Sequence, residues 1–263
     1  IASQKQDGSV SLLGMKEVET LVKIESSDQT VSASCTVKVA GKTIKILAIG
    51  NSFSQDAVET YLYELASAEG IEVIIGNMYI GGCSLETHWD NIETGAASYS
   101  YRKIGTNGQK FSKENTSIQT ALADEEWHYI SLQQASPESG LYYTYDNHLP
   151  QMTNYMRKTK ANATLMLHQT WAYAANSSHS GFNNYGKNQM TMYNYIVNAV
   201  WKAADQVDID LVIPAGTAVQ NGRTSILGDS FCRDGYHLET TYGRYTAACT
   251  WFEKIFNRNV VGN

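Results

Sequence analysis

The sequence predicts an α/β fold in which a parallel five-stranded sheet carries helices on both faces and follows a short N-terminal β segment. Two observations lead to this prediction. From residue 42 onward, short apolar runs of strand length alternate with amphipathic stretches of helical length, whereas residues 7–40 are polar and β-branched. Strand–helix–strand spacing of this kind favours right-handed crossovers, and therefore a parallel sheet.

Each element has its own signal in the sequence. The predicted strands are the apolar runs Ile44 to Ile49, Glu72 to Tyr79, His128 to Leu132, Thr164 to His168 and Asp210 to Ile213. The predicted helices are Ser54 to Glu69, Asp146 to Lys160, Gly186 to Asp205 and Thr240 to Phe256. Gly70 is placed to end the first helix in a left-handed conformation. Within an insertion at residues 86–115, the pair Asn107-Gly108 predicts a hairpin turn.

Residues 1–41 are predicted to form a β appendage, and residues 42–263 the main domain. Thr30 to Val39 alternates at period two, as a half-buried strand does. The run from Ser26 to Val39 resembles the closing strands of bacterial immunoglobulin-like modules. An ordinary N-terminal hairpin is the alternative interpretation.

Composition narrows the classes of partner. The 263 residues include 20 Lys and Arg against 26 Asp and Glu, and no basic cluster could follow a phosphate backbone, so nucleic acid is not an expected partner. No apolar run approaches the roughly 18 residues of a membrane span. Neither the four cysteines nor His88, His168 and His179 show a metal-ligand spacing, so the sequence predicts no metal site.

A candidate nucleophile follows the first strand of the main domain. The chain passes from a buried strand through Gly50-Asn51-Ser52 into a helix, which places Ser52 on a tight turn at a helix N-terminus. Backbone N–H groups at such a turn can hold an oxyanion. The alternative is that Ser52 or Ser54 only caps the helix, as serine commonly does.

A second candidate group lies just before the last helix. Asp234 and His237 are separated by a flexible loop containing Gly235, so the carboxylate can accept a hydrogen bond from one imidazole nitrogen while the other faces outward. An oriented imidazole is what a serine hydroxyl needs to become a nucleophile. Taken alone, Asp234 would be a turn cap and His237 a polar residue at a helix start. Together with Ser52 they predict a catalytic triad.

These blocks carry a family resemblance. Gly50 to Phe53 resembles the Gly-Asp-Ser-Leu nucleophile block of the SGNH/GDSL hydrolase superfamily, and Asp234 to His237 resembles its final Asp-x-x-His block. From Lys42 to Asn257 the chain is more closely similar to DUF4886, an SGNH-like family of secreted bacterial proteins. The blocks that carry this closer likeness are Gly50 to Ser54, Leu132 to Ser136, Gln169 to Tyr173, Ile213 to Ala218, Asp234 to His237 and Gly243 to Tyr245.

The resemblance implies a flavodoxin-like, three-layer α/β/α sandwich and an extracellular, periplasmic or cell-surface location. It also implies ester hydrolysis without a cofactor. In that reaction Ser52 is the nucleophile, His237 the general base and Asp234 the carboxylate that orients it.

The oxyanion hole implied by the superfamily combines the N–H groups of Ser52 and Gly82 with a side-chain amide. The sequence departs from the superfamily here, because Gly-x-Asn-Asp is absent and the third strand ends in Leu132-Gln133-Gln134. One of the two glutamines is expected to supply the amide. Gln133 is favoured, since period-two alternation places it on the opposite face from Leu132.

The resemblance also places four residues at the rim of the site, namely His88, Trp89, Trp171 and Tyr173. Rings at a rim can stack on sugars or acyl groups, and core packing is the alternative. The neutral, Tyr-rich composition and the lack of an extended apolar segment favour a short-acyl, acetyl ester of a carbohydrate. The rival prediction is a non-catalytic carbohydrate-binding or adhesion protein on the same scaffold. A thioesterase or lipase would differ only in its acyl pocket.

Overall fold

The computed structural model describes residues 2–4, 10–12, 18–25, 30, 32–39 and 43–262. The strands are β1 (Ala2–Gln4), β2 (Val10–Leu12), β3 (Val18–Glu25), β4 (Ser32–Val39), β5 (Ile44–Gly50), β6 (Val73–Tyr79), β7 (Tyr99–Ile104), β8 (Lys110–Thr116), β9 (Tyr129–Leu132), β10 (Thr164–His168) and β11 (Leu211–Ile213). The helices are α1 (Ser52–Val58), α2 (Leu62–Ala68), α3 (Leu85–Thr94), α4 (Ile118–Asp124), α5 (His148–Thr159), α6 (Gln189–Gln206), α7 (Ala215–Gly222) and α8 (Tyr242–Phe256), with short 3₁₀ turns at Tyr142–Thr144 and Ser180–Tyr185.

A seven-stranded sheet forms the centre of the fold, in the order β11-β10-β9-β5-β6-β7-β8. The strands from β11 to β6 are parallel, and they are the five that the sequence predicts. The predicted number of strands was wrong, because the 99–116 hairpin joins the sheet as two antiparallel strands. Tyr99, Tyr101 and Ile104 of β7 are buried, so this hairpin extends the core.

The position of β5 determines where a site can form. Strand β6, which follows β5 in the chain, lies on one side of β5 within the sheet. The later strands β9, β10 and β11 lie on its other side. The carboxyl end of β5 is therefore the point at which the strand order reverses, where parallel sheets open a crevice for ligands. Buried Ile46, Leu47 and Ile49 anchor this strand in the core.

The helices pack in groups around the sheet. α1, α2 and α7 contact α8, whereas α3 contacts α4 and α5. The predicted helix over residues 54–69 is two helices, α1 and α2, and Gly70 follows α2 with φ +67° as expected. The sequence analysis did not predict α3, although Ser84 caps its start and Gly95 ends it with φ +66°. The predicted α/β class is confirmed.

The N-terminal strands form two antiparallel pairs, β1 with β2 and β3 with β4. Strand β4 overlaps the predicted strand over residues 30–39. The predicted boundary between residues 41 and 42 lies outside the described residues, so the division into two domains stays a prediction. Within the described part of the chain, no helix is long and apolar enough to cross a membrane.

Candidate active site

Ser52 is the first residue of α1 and is not the N-cap of this helix. The cap is Asn51, whose Oδ1 accepts the N–H of Phe53 at 2.9 Å. Ser54 is buried, with its Oγ 2.7 Å from the carbonyl oxygen of Asn51 and 2.9 Å from Oδ1 of Asn77. Of the two serines, only Ser52 faces the cavity at the end of β5.

Ser52, His237 and Asp234 form a hydrogen-bonded chain. Nε2 of His237 lies 2.9 Å from Oγ of Ser52, and Nδ1 of His237 lies 2.7 Å from Oδ2 of Asp234. The other carboxylate oxygen of Asp234 accepts the backbone N–H groups of His237 at 2.8 Å and Tyr236 at 3.2 Å. Partial burial opposes ionisation of Asp234, but these hydrogen bonds lower its pKa below the ordinary value. The ionised carboxylate therefore holds the proton on Nδ1 and leaves Nε2 to accept from Ser52.

The loop that carries Asp234 and His237 is closed on itself. An isolated bridge joins residues 232 and 238, and the N–H of Arg233 donates to the carbonyl of His237 at 2.9 Å. Gly235 has φ +92° and lies against Ser177, so a side chain there would be strained and crowded. The loop conformation therefore depends on a glycine within the motif.

Asp56, one turn after Ser52 on α1, ties this loop to the serine. Its side chain is 1% exposed. Arg233 donates to it at 3.0 Å, Arg244 of α8 at 2.8 Å, and the N–H of Leu238 at 2.8 Å. The sequence analysis missed this ionic cluster. The GRY block at residues 243–245 already marked Arg244, but nothing local linked that arginine to Asp56.

The four aromatic residues expected at the rim lie elsewhere, which corrects that prediction. His88, Trp171 and Tyr173 are fully buried, Trp89 packs partly buried against the core, and none of them lines the cavity. Trp171 stacks on Phe53 with a 4.4 Å centroid distance and donates its indole N–H to the carbonyl of Tyr236 at 2.7 Å. It therefore supports the site from beneath, because its ring and its N–H both have partners inside the protein.

His88 and Tyr173 are also engaged inside the protein. Nδ1 of His88 lies 2.9 Å from the hydroxyl of Tyr99, and burial lowers its pKa to about 3, so the ring is neutral. The hydroxyl of Tyr173 lies 2.8 Å from Oγ of Ser136. Tyr173 is therefore connected to the cavity only through Ser136, which is part of the cavity wall.

Neither glutamine supplies an amide to the cavity, which corrects the second expectation. Nε2 of Gln133 donates to Oδ1 of Asn51 at 2.7 Å, and its Oε1 lies 2.8 Å from Nδ1 of His168. Gln134 accepts the N–H of Leu85 at 2.9 Å and donates to Thr144. The amide of Gln133 therefore holds the helix cap next to Ser52 instead of facing a substrate.

The cavity beside Ser52 has a volume of about 290 Å³. Gly82 belongs to its wall, in a turn where φ is +66°. The sequence analysis assigned no substrate-site role to several other residues of the wall. All wall residues together are Asn51, Ser52, Phe53, Tyr79, Gly81, Gly82, Ser136, Pro137, His179, Tyr236 and His237.

Solved structures of SGNH hydrolases share the fold of this chain. A protein described as a candidate SGNH hydrolase from Slackia heliotrinireducens is 20% identical, with a TM-score of 0.56 over 81% of this chain and 100% of that one. An acetylxylan esterase from Geobacillus stearothermophilus is 13% identical, with a TM-score of 0.52 over 82% and 95% of the two chains. At these identities the likeness is one of fold.

The chain belongs to the DUF4886 family, described as a domain of unknown function, whose family model matches residues 45–263. The crystal structure of a DUF4886 protein from Bacteroides uniformis is 60% identical, with a TM-score of 0.83 over 84% of this chain and 86% of that one. The family expected from the sequence is thereby confirmed. A comparison with proteins of curated function finds no match.

Proposed function

We propose that the protein is a serine esterase that hydrolyses carboxylic esters, with short acyl groups on carbohydrates as the favoured substrates. One observation carries the proposal. The hydroxyl of Ser52 lies 2.9 Å from an imidazole whose other nitrogen is 2.7 Å from an ionised carboxylate, and Ser52 opens onto a cavity. This arrangement is what activates a serine for acyl transfer.

The reaction follows from the positions of the three side chains. Ser52 Oγ attacks the ester carbonyl carbon while Nε2 of His237 takes its proton, and Asp234 stabilises the resulting imidazolium. His237 then returns the proton to the leaving alcohol, which gives an acyl-enzyme on Ser52. A water molecule, deprotonated by His237, attacks the acyl carbon and releases the acid.

The oxyanion formed in both steps is held by backbone donors in this proposal. The N–H of Ser52 lies at the start of α1, and Gly82 belongs to the same cavity wall. Preorganised backbone N–H groups directed at the developing negative charge are one source of such stabilisation in acyl transfer. Asn51, fixed by Gln133 and Phe53, holds the Ser52 turn in the orientation that this requires.

The size and lining of the cavity support a small, polar ester. Its volume of about 290 Å³ is at the lower end of ligand pockets. Its wall includes Tyr79, His179 and Tyr236, which offer both ring faces and polar atoms. The similarly folded Geobacillus protein is an acetylxylan esterase, which is consistent with an acetylated carbohydrate here.

Hydrolysis of p-nitrophenyl acetate by the wild type and by Ser52→Ala tests the proposal. We expect kcat to fall at least about 1,000-fold in Ser52→Ala. A fluorophosphonate probe should label the wild type on the peptide that contains Ser52. Ser54→Ala is the matched control, because Ser54 lies two residues away but is buried, and this variant should keep the label. Equal turnover by wild type and Ser52→Ala, or labelling that survives in Ser52→Ala, would refute the esterase.

A non-catalytic binding protein on the same scaffold would not require the Ser52 hydroxyl to contact an imidazole. The contact between Ser52 and His237 instead supports the esterase. We also propose an extracellular, periplasmic or cell-surface location, as the resemblance to a family of secreted bacterial proteins implies. Fractionation of the native host, followed by detection of the protein with an antibody, tests this location.

A further inference from the structure

His179 is a second histidine in the wall of the cavity that contains Ser52 and His237. It precedes the 3₁₀ turn over Ser180–Tyr185, and the mechanism above gives it no part in proton transfer. Its surroundings determine what it can offer a bound molecule.

The ring of His179 is held in one tautomer. Its Nδ1 accepts the backbone N–H of Gly181 at 3.0 Å, so the hydrogen of the neutral ring must lie on Nε2. Partial burial, and then the nearby His237, lower the pKa of His179 against the opposing effect of Asp234, which favours the neutral ring. His179 therefore presents a hydrogen-bond donor at Nε2.

The position of this donor is fixed by packing. The ring lies 4.8 Å from that of Tyr236 in an edge-to-face contact and 4.9 Å from that of Tyr173. Gly181, the partner of His179, packs so closely on Pro137 that an added Cβ would overlap the proline ring. A donor held in this way loses little conformational entropy when it binds a ligand.

His179 lies on the same side of the site as the general base. The ring of Tyr236 contacts both histidines, with centroid distances of 4.1 Å to His237 and 4.8 Å to His179. His237 must return its proton to the leaving oxygen, so the alcohol half of the ester lies against His237. The alcohol half therefore also lies near His179.

We infer that His179 is a specificity-determining residue, whose Nε2–H donates a hydrogen bond to an oxygen of the alcohol half and so favours esters of polyhydroxylated alcohols such as sugars. This inference rests on the proposed esterase function. It assigns to His179 a role in binding the leaving group rather than in the chemical step.

Two variants and two acetate esters test the inference. His179→Phe keeps a ring against Tyr236 but removes the donor, and His179→Gln keeps an amide N–H near the position of Nε2. The esters are a monoacetylated methyl xyloside, whose alcohol has neighbouring oxygens, and p-nitrophenyl acetate, whose leaving group has no hydroxyl beside the ester. Thermal melts establish that both variants are folded at the assay temperature.

We expect His179→Phe to lower kcat/KM for the acetylated xyloside about tenfold, mainly through KM, since one hydrogen bond is lost. Its kcat/KM for p-nitrophenyl acetate should fall by a smaller factor than that for the xyloside, because this leaving group has no hydroxyl for Nε2–H to bind. His179→Gln should recover activity on the xyloside to within threefold.

Each other outcome overturns a defined part of the reasoning. An equal fall on both esters would make His179 a structural or chemical residue, and no fall on either would remove it from the substrate site. A wild type that cleaves only the aryl ester would refute recognition of a hydroxylated alcohol while leaving the esterase intact. A wild type that cleaves neither ester, and that the fluorophosphonate does not label, would refute the proposed function itself.

Discussion

Replacing Asp56 with asparagine tests whether the ionic cluster under α1 holds the His237 loop in place. Asp56 lies one helical turn from Ser52 and accepts the N–H of Leu238, the residue after His237. The substitution preserves the size of the side chain but removes its charge. The guanidinium groups of Arg233 and Arg244 then lose their shared carboxylate.

The contacts of Asp56 determine how much stability this substitution is expected to remove. Breaking a buried ion pair by removing one partner costs about 3–5 kcal/mol, because a charge is left without compensation. Arg233 and Arg244 are 34% and 20% exposed, so water can solvate part of each guanidinium. We therefore expect the lower end, a fall of about 3 kcal/mol in the free energy of unfolding. For a chain of this size, that corresponds to roughly 6–12 °C in Tm.

The catalytic effect should appear in kcat. Displacement of His237 by about 1 Å is enough to lower the rate on the order of 100-fold. We expect Asp56→Asn to lower kcat on p-nitrophenyl acetate by about 10- to 100-fold, with KM changed less than threefold. Urea unfolding followed by tryptophan fluorescence measures stability, and the kinetics are recorded where circular dichroism shows both proteins folded.

Asp124→Asn is the matched control. Asp124 accepts from Lys103 at 2.7 Å and from the hydroxyl of Tyr101 at 2.8 Å, near β7 and away from the cavity. This variant should lose stability while keeping kcat. If Asp56→Asn is destabilised but retains kcat within threefold, Asp56 does not position the loop. If its stability is unchanged, the argument from the buried ion pair fails.

Three further results are expected. Asp234→Asn should lower kcat by at least about 100-fold. Because the folded-state pKa of Asp234 is lowered, the stability that its carboxylate contributes is present above about pH 4 and is lost as pH falls through the folded pKa. The difference in Tm between wild type and Asp234→Asn should therefore shrink from pH 6 to pH 2 in calorimetry, and a constant difference would contradict this. Among the described thiols, Cys35 is exposed, whereas burial raises the pKa of Cys83 to about 12 and that of Cys232 to about 11. Iodoacetamide at pH 8 should modify Cys35 first, and peptide mapping that finds Cys83 modified as fast would contradict this.

The parallel strands could be predicted because burial on both faces requires continuous apolar runs. The strand at Ile44–Gly50 is found within one residue of its expected end. The pairing of the hairpin with β6 could not be predicted, since the alternation in Tyr99–Ile104 indicates one buried face without saying which strand lies beside it. Helices α4 and α7 were missed because seven or eight residues are too few to establish a helical period.

Some residues of the candidate site could likewise be predicted from the sequence, whereas others could not. Ser52, Asp234 and His237 could be predicted because each lies in a short block with a recognisable local order. Asp56 could not, because an aspartate in an amphipathic helix has the pattern of a solvated residue. Its partner Arg233 is 177 residues away in sequence, and only the folded chain brings the two together.

Trp171, which was wrongly predicted at the rim, makes contacts that only the folded structure shows. Sequence order placed this ring after β10 and therefore at the rim, but an indole offers two kinds of contact. Its face stacks on Phe53, the residue after Ser52, and its N–H binds the carbonyl of Tyr236, the residue before His237. The carboxylate of Asp56 joins the same two segments by accepting the N–H of Leu238 and by pairing with Arg233. Trp171 and Asp56 thus hold the Ser52 and His237 segments together through two separate sets of contacts. Because both approach the two segments from inside the protein, the side chain of His179, whose Nδ1 accepts from Gly181, can contact a substrate from the cavity wall.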